Sequence, residues 1–134
     1  MVHVAYQKPI ELIHARNLMG SLTTPAFLVD AEAQLVYYNE AAGQLLGRRF
    51  EETGPMPAAA WGAEFGPFDT EGNPMEIDAL KTTRALREGR PAHGRFCVHS
   101  VNGDSHEIES SALPIRGGDG FEGAMVFFWP VSEG

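Results

Sequence analysis

Between residues 9 and 22 the apolar side chains recur at helical spacing. Leu12, Ala15, Met19 and Leu22 share one stripe, Leu18 lies beside it, and no glycine intervenes before Gly20. The pattern predicts an amphipathic opening helix from about Pro9 to Leu22. Pro25 stops helical propagation, and Ala26-Phe27-Leu28-Val29 followed by Asp30 reads as a short strand entering the turn Ala31-Glu32-Ala33. A second β-rich run, Leu35-Val36-Tyr37-Tyr38, ends at Asn39, a good N-cap for a helix over Glu40 to Leu46 that Gly47 closes.

From Arg48 to Met75 this regularity is lost. Pro55, Pro57, Pro67 and Pro74 alternate with Gly54, Gly62, Gly66 and Gly72, which forbids a long helix or strand and predicts short helical turns joined by loops. Phe50, Met56, Trp61, Phe65 and Phe68 are too many bulky apolar residues for a solvated linker, so they must pack on something. A longer helix is predicted from about Ile77 to Glu88, with Leu80, Thr83, Arg84, Leu86 and Arg87 at its core and Gly89-Arg90-Pro91 ending it.

The last third is β-rich: Gly94 to Val101, His106 to Ile115 and Gly123 to Val131 predict a three-stranded meander. Two registers are open to its first hairpin. A two-residue Asn102-Gly103 turn would set Phe96 opposite Glu109 and Val98 opposite Glu107. A three-residue loop, Val101-Asn102-Gly103 with Gly103 left-handed, sets Phe96 opposite Ile108 and Val98 opposite His106. The second register groups apolar atoms better. It turns Phe96, Val98, Ile108, Ser110 and Ala112 inward, and Arg95, Cys97, His99, Glu107 and Glu109 outward. In the last strand Met125, Phe127 and Trp129 share one face, Val126 and Phe128 the other, so both faces are apolar. A central strand covered on both sides explains this, with the N-terminal helix or a second chain as the outer cover.

With 134 residues, 43% of them hydrophobic and 21% charged, the chain suits one globular domain: residues 1–24 form a helical cap, 25–131 the domain and 132–134 a tail. Strand blocks around a helical middle make it α+β. No apolar run is long enough to span a bilayer and none resembles a secretory signal, so no membrane role and a cytoplasmic location are expected. The single cysteine, Cys97, excludes an internal disulfide. A formal charge of −8, with no basic block longer than Arg48-Arg49, disfavours nucleic acid and favours a protein partner with a basic patch.

Three segments, AFLVDAEAQLVYYNEAAGQLLG (26–47), ALREGRP (85–91) and ALPIRGGDGFEGAMVFFWPV (112–131), taken in this order and spacing, resemble the PAS domain family over about Leu18 to Val131. Ala33 stands where that family often has a turn glycine. The resemblance implies a five-stranded antiparallel sheet with the last strand central, and helices after Asn39 folded over one face to enclose a pocket. It also implies a sensory or signalling module that binds a small molecule, dimerises or docks a partner. Fold-level likeness does not choose among these.

The site residues narrow the choice. Flavin-binding light sensors of this family carry a reactive cysteine in a mid-domain helix, where this sequence has none, and haem-binding members take a histidine from the long helix before the meander, which reads IDALKTTRALRE. Flavin and haem are therefore disfavoured, with His93 the nearest shifted ligand. His99 and His106 lack a third metal ligand and lie on opposite faces in the preferred register. The acidic residues Asp69, Glu71, Glu76 and Asp78 lack a calcium-loop pattern. Ser110 and Ser111 lack the base and orienting group of a nucleophilic site, so the chain is read as non-enzymatic. A small isomerase or hydrolase is the alternative from another class.

Phe27, Tyr37, Leu45, Leu46, Trp61, Phe65, Leu80, Leu86, Phe96, Ile108, Met125 and Phe127 are the candidate pocket residues, with Ser110 and Tyr37 as polar handles. An apolar or aromatic ligand would suit them. The competing expectation is a solid core and a ligand-free docking module. Leu12, Ala15, Met19, Leu22, Val126 and Phe128 are the candidate surface of a homodimer. The Met1 start and the absence of a long helix after Val131 favour a complete small protein.

Overall fold

The computed structural model describes residues 10–69, 71–75, 86–118 and 120–131. Helix α1 (Ile10–Met19) precedes strands β1 (Ala26–Asp30) and β2 (Leu35–Tyr38). Three short helices follow, α2 (Glu40–Leu46), α3 (Phe50–Thr53) and α4 (Ala58–Glu64), then strands β3 (Ala92–His99), β4 (Ser105–Gly117) and β5 (Gly120–Pro130). The predicted helix over 77–88 falls mostly outside the described residues, Leu80, Thr83 and Arg84 included. Leu86 and Arg87 are helical.

Local chemistry accounts for the first half. The Asp30 Oδ1 accepts from the Glu32 and Gln34 amides at 3.0 and 2.9 Å, closing the turn between β1 and β2. Ala33 adopts φ 63°, the left-handed conformation that the missing glycine would supply without strain. Asn39 caps α2 by accepting from the Ala42 amide, and Gly47 at φ 82° closes it.

The strands form one antiparallel sheet in the order β2-β1-β5-β4-β3, so β5 is central. Phe96 pairs with Ile108 and Val98 with His106, the register of the three-residue loop, with Gly103 at φ 92°. Neither edge is bare. Leu35 exchanges amide–carbonyl bonds with Met56 at 2.8 and 3.0 Å, and Cys97 does the same with Phe68 at 2.8 and 2.9 Å. Such short pairings blunt the edges against further strands. Cys97 turns away from the inner face, as the register predicts, and is buried.

Each face of the sheet carries its own core. On the inner face Leu35, Tyr38, Leu46, Phe50, Trp61, Phe65, Val98, Ile108 and Phe128 pack under α2, α3 and α4. On the outer face α1 lays Leu12, Ala15 and Met19 onto Ala26, Leu28 and Val36, with Met125 and Phe127 against them. The assignment of the β5 faces is thereby corrected: Val126 and Phe128 point inward, Met125 and Phe127 outward. The reason is register. Ser110 pairs with Phe128 and Ala112 with Val126, and residues paired directly across a sheet share a face.

Candidate functional site: an apolar cavity

A cavity of about 120 Å³ lies between the inner sheet face and the helical layer. Its floor is Phe27 and Val29 of β1, Phe96 and Val98 of β3, Ser110 and Ala112 of β4, and Ala124, Val126 and Phe128 of β5. Its roof is Leu46 of α2, Trp61 at the heart of α4, Phe65, and Leu86 with Arg87. Aromatic rings brace the wall: Phe27 sits 6.0 Å from Trp61 and 5.6 Å from Phe128, tilted at 52° and 53°. Such tilted pairs hold their positions better than aliphatic contacts alone.

The polar groups of the wall are committed to the protein. The Tyr38 hydroxyl donates to the Arg48 carbonyl at 2.6 Å, the Trp61 Nε1–H donates to the Ala33 carbonyl at 2.9 Å, and the Ser110 hydroxyl donates to the Gly94 carbonyl at 3.3 Å. Asp30, also on the wall, is occupied by its own turn. Burial pushes the Tyr38 phenol above its ordinary pKa, so it stays neutral. What remains is a mostly apolar space. It can accept a molecule without a hydrogen-bond requirement, and it resembles in size the engineered apolar cavities that take up benzene or xenon.

Of the residues expected to line a pocket, Phe27, Leu46, Trp61, Phe65, Leu86, Phe96 and Ser110 do so. Ile108 is fully buried in the inner core beside it, and Leu45 packs against that core from outside. Tyr37 lies elsewhere, edge-on to Phe50 at 5.1 Å with the Arg16 guanidinium 4.6 Å above its ring. Met125 and Phe127 contact α1 instead, and Leu80 is outside the described residues. Val29, Val98, Ala112, Ala124, Val126 and Phe128 also line it without having been expected there, though Val98 and Ala112 were placed on the inward face; Leu35, Tyr38 and Phe121 line it too. Alternation along β1 and β3 held the signal for Val29 and Val98.

The candidate dimer surface also needs correction. Leu12 and Met19 are 1% and 0% exposed, and Ala15 is buried, because α1 already covers its own sheet. Val126 and Phe128 are inside, and Leu22 is half-buried. The apolar side chains that α1 does present to solvent are Ile10, Ile13 and Leu18.

Among the described residues no histidine or cysteine lines the cavity, and no group of three or more metal-ligating side chains could hold an ion. His99 stacks on Phe68 with ring centroids 3.9 Å apart.

The sequence matches the family described as PAS fold over residues 20–134. The chain belongs to the PAS family. Solved PAS-type structures share its architecture. The Rhodobacter sphaeroides LOV protein superposes with a TM-score of 0.70 at 14% identity, covering 93% of this chain and 70% of that one. The PAS domain of a Colwellia psychrerythraea protein gives 0.68 at 17% identity, covering 92% and 98%. A fungal LOV domain photoreceptor gives 0.62 at 18% identity, covering 91% of each chain. No curated protein matches the sequence. Among the described residues no helix is long and apolar enough to cross a membrane. In this PAS chain, then, the space lies between sheet and helices, and its wall is mostly apolar, with Asp30, Tyr38, Arg87 and Ser110 as its polar members.

Proposed function

We propose that the chain is a sensory and signalling module whose input is a small, neutral, apolar or aromatic molecule held in the cavity. The observation that carries this reading is the cavity itself: an apolar space whose polar wall groups are already satisfied by the protein. A charged ligand would lose its hydration there with little in return. Family membership and the sensory neighbours, which include a PAS domain from a two-component sensor histidine kinase, support the signalling half of the reading. Among the described residues no nucleophile paired with a base lines the space, and the reading proposed is a non-catalytic one. The lone buried thiol suits a reducing, cytoplasmic setting.

Melting the protein in benzene-saturated buffer tests the input, because a ligand that binds only the folded state raises the melting temperature. Native mass spectrometry before and after denaturation shows any molecule that co-purifies. An unmoved melting temperature with a bare mass would overturn the ligand reading in favour of a ligand-free docking module.

The output is a protein partner or a second copy of the chain. Ile10, Ile13 and Leu18, each about half exposed on the side of α1 away from the sheet, favour a homodimer through that side. Substituting Ile13→Glu with Leu18→Glu should convert dimer to monomer in light scattering. An unchanged oligomeric state would rule this surface out.

A further inference from the structure

The N-terminal helix and the cavity lie on opposite faces of the sheet, and one buried side chain touches the supports of both. Asn39 is 1% exposed. Its Oδ1 accepts from the Ala42 amide at 3.0 Å, in the first turn of α2, and from the Ala26 amide at 3.1 Å, at the start of β1. Its Nδ2 donates to the Thr24 carbonyl at 2.8 Å and to the Met19 carbonyl at 3.3 Å. Met19 is the last residue of α1, and α2 carries Leu46 into the cavity roof.

Capping alone does not require this residue. Serine, threonine or aspartate would accept from the Ala42 amide about as well. A short side-chain amide is needed to accept from α2 and β1 on one atom while donating to the α1 side on the other. The bond to Met19 is the longest of the four, so it is the one that a shift of α2 breaks first.

We infer that Asn39 couples the cavity to the N-terminal helix. A molecule entering the cavity presses on Leu46 and moves α2 outward. The Asn39 cap travels with α2, the contact to the Met19 carbonyl lengthens, and α1 loosens on the outer face. Because coupling is reciprocal, a partner that holds α1 in place weakens ligand binding by the same factor. Nothing in this requires a contact between ligand and helix.

This inference rests on the cavity being the ligand site, and the test separates the two. Native-state hydrogen exchange on the full chain compares the wild type, Leu46→Val, Asn39→Ser and the double variant. Leu46→Val disturbs the roof mildly, and Asn39→Ser keeps the cap while losing both donated bonds. Leu46→Val should speed exchange of the α1 amides about fivefold in the wild-type background, the scale set by one lost buried methylene. It should change them less than twofold in the Asn39→Ser background. Asn39→Asp, which keeps the acceptor but turns an oxygen toward the Met19 and Thr24 carbonyls, should loosen α1 by itself and likewise remove the Leu46→Val effect if serine perturbs folding. Equal acceleration with and without the Asn39 donors, or no effect at α1 in the wild-type background, would overturn the coupling. Benzene added to the same samples tests the ligand site separately: an unmoved Trp61 indole resonance would sink that site and leave the exchange result standing.

Discussion

Replacing Ala112 with valine places two more carbons in the cavity floor, on a central strand whose neighbours Ala92 and Val126 sit directly across it. The space beside it, about 120 Å³, has room for both. Burying two methylene equivalents recovers about 1.6 kcal/mol, and fixing the valine side chain returns about 0.5. The expected net gain is about 1 kcal/mol, or about 3–5 °C in melting temperature for a chain of this size. Urea unfolding followed by tryptophan fluorescence measures it, with an unchanged m-value as the sign that only stability moved. The same substitution should shrink the benzene-induced rise in melting temperature. In a core already packed to native density, two extra carbons would cost about 1–3 kcal/mol. A loss of 1 kcal/mol or more therefore refutes the cavity, and with it the ligand reading.

Three further outcomes follow from single positions. Ala33→Gly should stabilise the fold by about 0.5–1 kcal/mol in the same urea assay, since the left-handed backbone at φ 63° strains an alanine and not a glycine. Gly123→Ala should destabilise it by about 3 kcal/mol, because a Cβ there would overlap the Val29 carbonyl oxygen and meet Leu12 Cδ2 at 3.1 Å, wedging β1 and α1 away from β5. Glu109 accepts from Arg95 and from the Trp129 indole, and the Arg95 bond first, then the indole bond, holds its carboxyl below the usual range. A carboxylate with a depressed folded pKa adds stability above its ordinary value and loses it as the pH falls through the lowered one. Glu109→Gln should thus lower stability slightly at neutral pH, where the carboxylate contributes, and flatten the acid limb below about pH 4.5, the ordinary value for a glutamate, so that variant and wild type converge in acid.

Local patterns that carry their own punctuation were legible in the sequence. Asn39 and Gly47 bound α2 because a cap needs only its neighbours, and the Val101-Asn102-Gly103 loop set the β3–β4 register because only one pairing kept Phe96 with Ile108. The face of β5 was not legible, for a physical reason. Both faces are apolar, so alternation distinguishes two faces without saying which meets the helices. The missing datum was the β4–β5 register, and a bulge between Ile115 and Arg116 hides it. Counting back from the Gly117–Gly120 pair without that extra residue slips the strand by one and turns every side chain over. The edge pairing at Cys97 was not legible, for a related reason. The proline-rich stretch that covers it has no period, so its single pairing through Phe68 left no trace in the pattern.

Asn39 shows the other limit of reading from sequence. As an N-cap it is recognisable from position alone, yet half of its side-chain hydrogen bonds go to Met19 and Thr24, residues with no periodic relation to it. The cavity raises the same issue from the opposite side. Ala112 and Ala124 sit on the central strands, where β-branched or aromatic side chains would ordinarily be favoured, and both face a roof of Leu46, Trp61 and Phe65. Each alanine alone is an unremarkable core residue. Placed on neighbouring strands under that roof, they open a gap that the aromatic rings, braced against one another and with Trp61 tied to Ala33 by its indole, do not collapse into. Side chains that leave this space unfilled give up stability that larger ones would supply, and a ligand that fills it recovers part of that while moving the Leu46 roof. A tenfold coupling between ligand and helix would draw about 1.4 kcal/mol from that recovered energy.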